Sequence, residues 1–175
     1  DLQWRAMAAP GHDMGALMFY CEEERLLITG DALWENGFGV LLPGPGHGER
    51  LAATRSTLES IASLDVGTVI PGHGHPFSNV AGALERSLQR LAAFERDELR
   101  MARHVLKVMF VFSLLDRQRL PLSRIPGYLA TIPVYADFNA RYFQLNDAAL
   151  AAMIVGELER AGAVKRSNGY LIACV

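Results

Sequence analysis

Short apolar runs that stop abruptly at glycine, proline or a charged cluster fill the first third of the chain, and they restrict its folding more than any other feature. Gln3 to Ala9, Ala16 to Cys21 and Arg25 to Thr29 are too short for core helices and read as strands. Glu22, Glu23 and Glu24 form the turn between the last two, which predicts a hairpin of buried strands. Gly30 and Asp31 end the second of these, and the stretch from Asn36 to Gly48, rich in Gly and Pro, reads as a long loop.

A helical period takes over at Glu49. Leu51, Leu58, Ile61 and Leu64 recur at helical intervals before Asp65 and Gly67 close the segment, and Thr68 to Ile70 is a short strand stopped by Pro71. Between Asn79 and Arg103, Leu84, Leu88, Leu91 and Phe94 lie on one face with Glu and Arg interleaved, so one amphipathic helix is expected, bridging two domains. Val105 to Asp116 then reads as a buried helix and Pro121 to Leu129 as a short one. Asp147 to Ala161 is a third, capped by Asn146 or Asp147 and ended by Gly162. Ala163 to Arg166 and Tyr170 to Val175 flank Asn168-Gly169, a strong hairpin signal. The expected boundary near Arg100 gives a domain 1–100 and a domain 101–175, the second mainly helical, closed by a β-hairpin and winged-helix-like.

A chain of 175 residues, 50% of them hydrophobic and 21% charged, can bury a real core as one domain or two small ones. Its formal charge of -2 creates no field that draws phosphate backbones, so nucleic acid is unsupported as a partner. Val105 to Leu115 is the nearest approach to a membrane span, yet it is too short and contains Lys107. Cys21 and Cys174, far apart in apolar contexts, suit buried free thiols in a reducing compartment. With no basic or cleavage-like stretch at its start, the sequence is expected to work in the cytoplasm.

Chemistry concentrates at strand ends. His12 and His73 each sit in a Pro-Gly-His turn, the first before one strand and the second after another, while Asp31 follows Gly30 at the end of a third. Side chains placed there have rigid backbone behind them, and His and Asp donors are what zinc or a similar cation accepts. Each of these residues is ordinary alone; a lone loop histidine is usually solvated and a Gly-Asp pair usually just turns the chain. His47, in Pro45-Gly46-His47-Gly48, reads as a loop histidine, His75 as pointing away after Pro76, and His104 as a structural helix residue. Asp13 is assigned to solvent, and Tyr20 and Phe38 to the core. Trp34 has the better claim to line a substrate site. Tyr128, Tyr135, Phe138, Tyr142 and Phe143 have no basic groove among them and are assigned to packing, like the scattered Arg117, Arg119, Arg124 and Arg141.

Taken together, Ala9-Pro10-Gly11-His12, Leu26-Leu27-Ile28-Thr29-Gly30-Asp31-Ala32-Leu33 and Val69-Ile70-Pro71-Gly72-His73-Gly74 resemble the third, fourth and fifth metal motifs of the metallo-β-lactamase superfamily. The resemblance covers about Asp1 to Leu91, and the tail looks like the winged-helix-like extension of some members. It implies an α/β fold, the C-terminal half of an αββα sandwich. It also implies that His12 binds one metal, Asp31 bridges two and His73 binds the second, the ions being zinc, iron or manganese. Metal-activated hydroxide would then attack a small-molecule ester, thioester, amide or phosphodiester.

The superfamily's first motif, His-x-His-x-Asp-His, does not precede His12 in this sequence, and Asp13-Met14-Gly15 stands where many relatives have Thr-Pro-Gly. The expectation is therefore a fragment of a metal-dependent hydrolase, inactive or weakly active, with both metal positions short of ligands and no catalytic residue assigned. One sheet with its helices would also leave an apolar face bare, to be covered by a second copy of the chain or by a missing N-terminal half. A non-catalytic assembly half-domain is the alternative, and DNA binding by the tail ranks third.

Overall fold

Alternation along each strand decides the first sheet. In the computed structural model, which describes residues 1–174, β2 (Leu17–Cys21) buries Met18 and Tyr20 and exposes Leu17 and Phe19. Leu27 and Thr29 of β3 (Leu26–Gly30) and Val69 of β4 (Thr68–Pro71) are likewise buried, while Ile28 and Ile70 are exposed. With β1 (Arg5–Ala8) the order is β1-β2-β3-β4, antiparallel at the first two pairings and parallel at the third. Strands β1, β3 and β4 therefore run the same way and end at the same edge.

A parallel pair needs a crossover, and α1 (His47–Ala62) provides it between β3 and β4. It buries Leu51, Leu58 and Ile61 on one stripe, and α2 (Val80–Arg96) buries Leu84, Leu91 and Phe94. The Asn79 side chain caps α2 by accepting from the Gly82 N–H at 3.1 Å. Arg55 of α1 grips Glu95 of α2 with two bonds, 3.0 and 2.7 Å, a half-exposed pair worth roughly 1 kcal/mol or less.

Two expectations about helix limits change. The single helix from Asn79 to Arg103 is broken at Asp97, which is extended at φ -149° and ψ 94°. Its remainder joins the expected Val105 helix in one 20-residue helix, α3 (Glu98–Arg117). No Gly or Pro marks the break, so periodicity ran through it. The second change is at the other end of the loop, where α1 already starts at His47. The chain divides between Glu98 and Leu99 into two compact units.

The second unit is mainly helical. After α3 come a two-residue strand β5 (Leu120–Pro121), a 3-10 turn (Leu122–Arg124), α4 (Ile125–Thr131), α5 (Pro133–Phe138) and a single π turn (Asn139–Phe143). Then α6 (Asp147–Arg160) leads to β6 (Val164–Ser167) and β7 (Tyr170–Ala173), in a sheet of order β5-β7-β6. Asn168 and Gly169 both take positive φ, 49° and 80°, as a two-residue hairpin turn of type I′ requires. Pro121 pairs with Tyr170 on a sheet edge and also caps the 3-10 turn that leads directly into α4, whose own first turn holds Pro126. Asn146 caps α6 by accepting from the Ala149 N–H at 2.9 Å. Phe110, Leu114, Leu129, Tyr135, Leu150 and Ile154 form the centre of this unit's core.

Tyr135 is 1% exposed, and its hydroxyl has no hydrogen-bond partner among the described residues. The nearby Ser113 hydroxyl donates to the Met109 carbonyl at 2.9 Å. Burial pushes the phenol up to about 12, only partly offset by Ser113. The folded state thus holds this proton where the unfolded chain, with a pKa near 10, releases it. Its contribution is complete below pH ~10 and is lost as pH rises from ~10 to ~12, on the order of 2 kcal/mol. Tyr135→Phe is expected to remove that alkaline loss, and to leave neutral-pH stability equal or slightly higher, since it deletes an unpaired buried hydroxyl. Urea melts of both proteins across that range measure it.

Both cysteines are free; Cys21 is buried as expected, but Cys174 is exposed, because it lies just past the end of β7. No described helix is long and apolar enough to cross a membrane.

Candidate metal centre

The shared direction of β1, β3 and β4 puts the turns that follow them side by side at the C-terminal edge of the sheet. Past β1, the Thr57 hydroxyl of α1 donates to the Pro10 carbonyl at 2.8 Å and fixes the turn that carries His12. Past β3, Gly30 takes a left-handed φ of 53° and the ladder shifts register between Ile28 and Gly30, which turns Asp31 out of the strand. Past β4, the Gly72 N–H donates to the Gly30 carbonyl at 2.8 Å and ties the His73 turn to the Asp31 turn. A side chain at Gly72 would meet the Asp31 carboxylate at 2.9 Å, so glycine is required for this approach.

The three side chains meet. His12 Nε2 lies 3.7 Å from Asp31 Oδ2, and His73 Nε2 lies 3.7 Å from Asp31 Oδ1. Each histidine faces its own oxygen of one carboxylate. His12 Nδ1 donates to the Val40 carbonyl at 2.6 Å, which leaves Nε2 as the nitrogen turned to Asp31. A cavity of about 330 Å³ is lined by His12 and Asp31 together with Asp13, Phe38 and Thr54 among others, while His73 lies outside its wall. All three donors are partly open, with side chains 43%, 35% and 56% exposed for His12, Asp31 and His73.

The chemistry of this donor set fits zinc, iron or manganese, and a carboxylate with one oxygen toward each of two imidazoles has the form of a bridging ligand. The number of donors does not. Among the described residues no group of three or more His, Cys, Asp or Glu side chains is arranged to hold an ion.

The other candidates take separate places. His47 opens α1 instead of lying in a loop, its Nδ1 donating to the Gly44 carbonyl at 2.8 Å. His75 is exposed, and His104 belongs to α3. The Asp13 carboxylate accepts from the Gly15 N–H at 2.7 Å and shapes its own turn. Tyr20 and Phe38, at 4% and 3% exposure, are core. Arg117, Arg119 and Arg141 each stack on a tyrosine, at 4.9, 4.7 and 5.1 Å from the ring centres of Tyr128, Tyr170 and Tyr142. Trp34 faces the donors: its indole Nε1 donates to Asp31 Oδ1 at 3.2 Å.

Sequence reasoning missed the backbone around the donors. Gly39 is buried against them, and a Cβ there would stand 2.8 Å from both the Asp31 Cβ and the His12 Cγ. The glycine spacing in Gly37-Phe38-Gly39 was the available signal, but it names no target. The Val40 carbonyl carried no signal at all.

The α/β unit thus gathers two histidines and an aspartate at the ends of like-directed strands. Residues 1–73 match the sequence model of the metallo-beta-lactamase superfamily, which is what this part of the chain is similar to. Lactamase-like protein nscB of Trichophyton rubrum is 34% identical over 92 residues, covering 53% of this chain and 26% of that protein. Thioesterase pkgB of Emericella nidulans is 30% identical over 92 residues, covering 53% of this chain and 25% of that protein. The chain thus spans about a quarter of the length of these relatives. Among solved structures, a metallo-beta-lactamase family protein from Thermus thermophilus is 21% identical with a TM-score of 0.45, covering 99% of this chain and 50% of that one. A protein crystallised in a di-iron-bound form is 27% identical with a TM-score of 0.39, covering 48% of this chain and 41% of that one.

Proposed function

We propose that this chain contributes His12, Asp31 and His73 to the two-metal centre of a hydrolase and turns over little or nothing without further ligands. The observation that carries the reading is Asp31, whose two oxygens each face a different imidazole at 3.7 Å. Bound metal supplies the Lewis acidity that makes hydroxide available near neutral pH. His12, Asp31 and His73 would hold the ions, while the cavity walled by His12 and Asp31 admits a small substrate. The substrate class is an ester or thioester, in keeping with the relative named as a thioesterase. Two four-coordinate ions need more donors than three, so the remaining ligands come from a second copy of this chain or from additional polypeptide of the same protein. The purified chain is expected to carry well under one zinc per molecule and to leave a generic thioester intact. Near-stoichiometric zinc by elemental analysis, together with thioester turnover, would instead mean that the centre is completed between copies.

A second reading, assembly, is favoured by the bare side of the sheet. Ala6, Phe19, Ile28 and Ile70 lie in register across all four strands, and the last three are 40%, 37% and 36% exposed. With Leu17 at 54%, they form a continuous apolar surface of the kind that marks an interface. Light scattering after size-exclusion chromatography should show self-association that Phe19→Lys weakens; a compact monomer at high concentration counts against the second-copy arrangement.

A further inference from the structure

We propose that Trp34 is a positioning residue, whose indole N–H holds the Asp31 carboxylate in the rotation that offers one oxygen to each histidine. The inference rests on the reading of Asp31 as a ligand and deepens it. A terminal carboxylate torsion is broad and has no sharp preference of its own. Asp31 is partly solvent-open, so its rotation has to be fixed from outside the residue. Trp34 Nε1 is shared between Asp31 Oδ1 and the Gly30 carbonyl, both at 3.2 Å, and so ties the side chain to the backbone that precedes it.

The indole also reaches the second histidine. Its ring meets that of His73 edge to face, with centroids 5.1 Å apart and planes at 78°. One side chain therefore restrains two of the three donors. Trp34 is itself held, because its backbone N–H donates to the Gly37 carbonyl at 2.6 Å in a tight turn and the Gly39 N–H donates back to the Asp31 carbonyl at 2.7 Å. The segment from Asp31 to Val40 thus folds back over the site as a collar. Tryptophan suits this place chemically, since its indole nitrogen only donates and cannot compete for an ion. Phenylalanine would keep a ring beside His73 but leave Asp31 without the bond.

The test uses the full chain and has a metal-free arm. The protein has two tryptophans, Trp4 and Trp34, so its nitrogen-proton spectrum shows two indole signals, which Trp4→Phe assigns. Asp31→Ala should move the Trp34 indole signal upfield and speed its exchange with solvent; an unmoved signal with unchanged exchange overturns the proposal. The second arm titrates zinc against a competing chelator. Trp34→Phe is expected to weaken zinc binding about 10- to 100-fold, the range for loss of a partner behind a metal ligand. The melting temperature of the zinc-free protein should stay unchanged, which a merely structural role would not allow. Wild-type affinity in Trp34→Phe overturns the proposal. A wild-type chain that takes up no zinc at all would count against the ligand reading alone, and the indole signal would still decide what Trp34 does.

Discussion

Gly39→Val is expected to disrupt the donor cluster and to lower the stability of the N-terminal unit by roughly 1–3 kcal/mol, the usual cost of forcing atoms into a filled space. The reason is local and steric. A Cβ at this position would lie 2.8 Å from the Asp31 Cβ and 2.8 and 2.9 Å from the His12 Cγ and Cβ. These atoms sit at the roots of their side chains, so no end of a flexible chain can swing aside. The Gly39 N–H also donates to the Asp31 carbonyl at 2.7 Å, and the next residue, Val40, accepts from His12 Nδ1 at 2.6 Å. Moving position 39 outward therefore breaks the hold on both donors together. Urea denaturation measures the stability loss, and the His12 and His73 imidazole signals report the cluster. Wild-type stability with unmoved signals would show that residues 31–40 do not close over the site.

Phe110→Ala should cost more, about 3–5 kcal/mol, because it empties the centre of the second core. Phe110 is fully buried in α3, among Leu106, Leu114, Leu129 and Tyr135, and its ring lies 6.3 Å from that of Tyr128. Truncation removes the transfer free energy of the ring and leaves a cavity that helices on several sides cannot collapse to fill. Phe110→Leu keeps most of the volume and should cost only about 1–1.5 kcal/mol. Denaturation followed by a probe in residues 99–174 reads both values. A loss below about 1 kcal/mol for the alanine variant would mean that this unit is packed loosely.

Local signals gave every described strand except β5, and most helices, for identifiable reasons. Met18, Tyr20, Leu27 and Val69 alternate with outward residues, and each run ends at a residue that stops a strand. The cap at Asn146 and the Asn168-Gly169 turn are equally local and stand where the sequence places them. Errors arise where one pattern spans two elements. Apolar spacing continues through Asp97, so the break between α2 and α3 has no mark, and the two-residue strand β5 is too short to leave a pattern. Cys174 has an apolar neighbourhood in sequence but ends exposed, since burial depends on what folds over it.

The sequence by itself determined which residues have metal-binding chemistry and that each stands in a turn next to a strand, because turns and strand ends are written in a few adjacent residues. Only the tertiary structure decided that these turns share one edge, since that depends on strand direction and register between segments far apart in the chain. It also decided that Trp34 meets Asp31, that Gly39 lies between two donors, and that one side of the sheet stays apolar and open. Each of these is a relation between distant residues, fixed by packing and hydrogen bonds that no local pattern encodes.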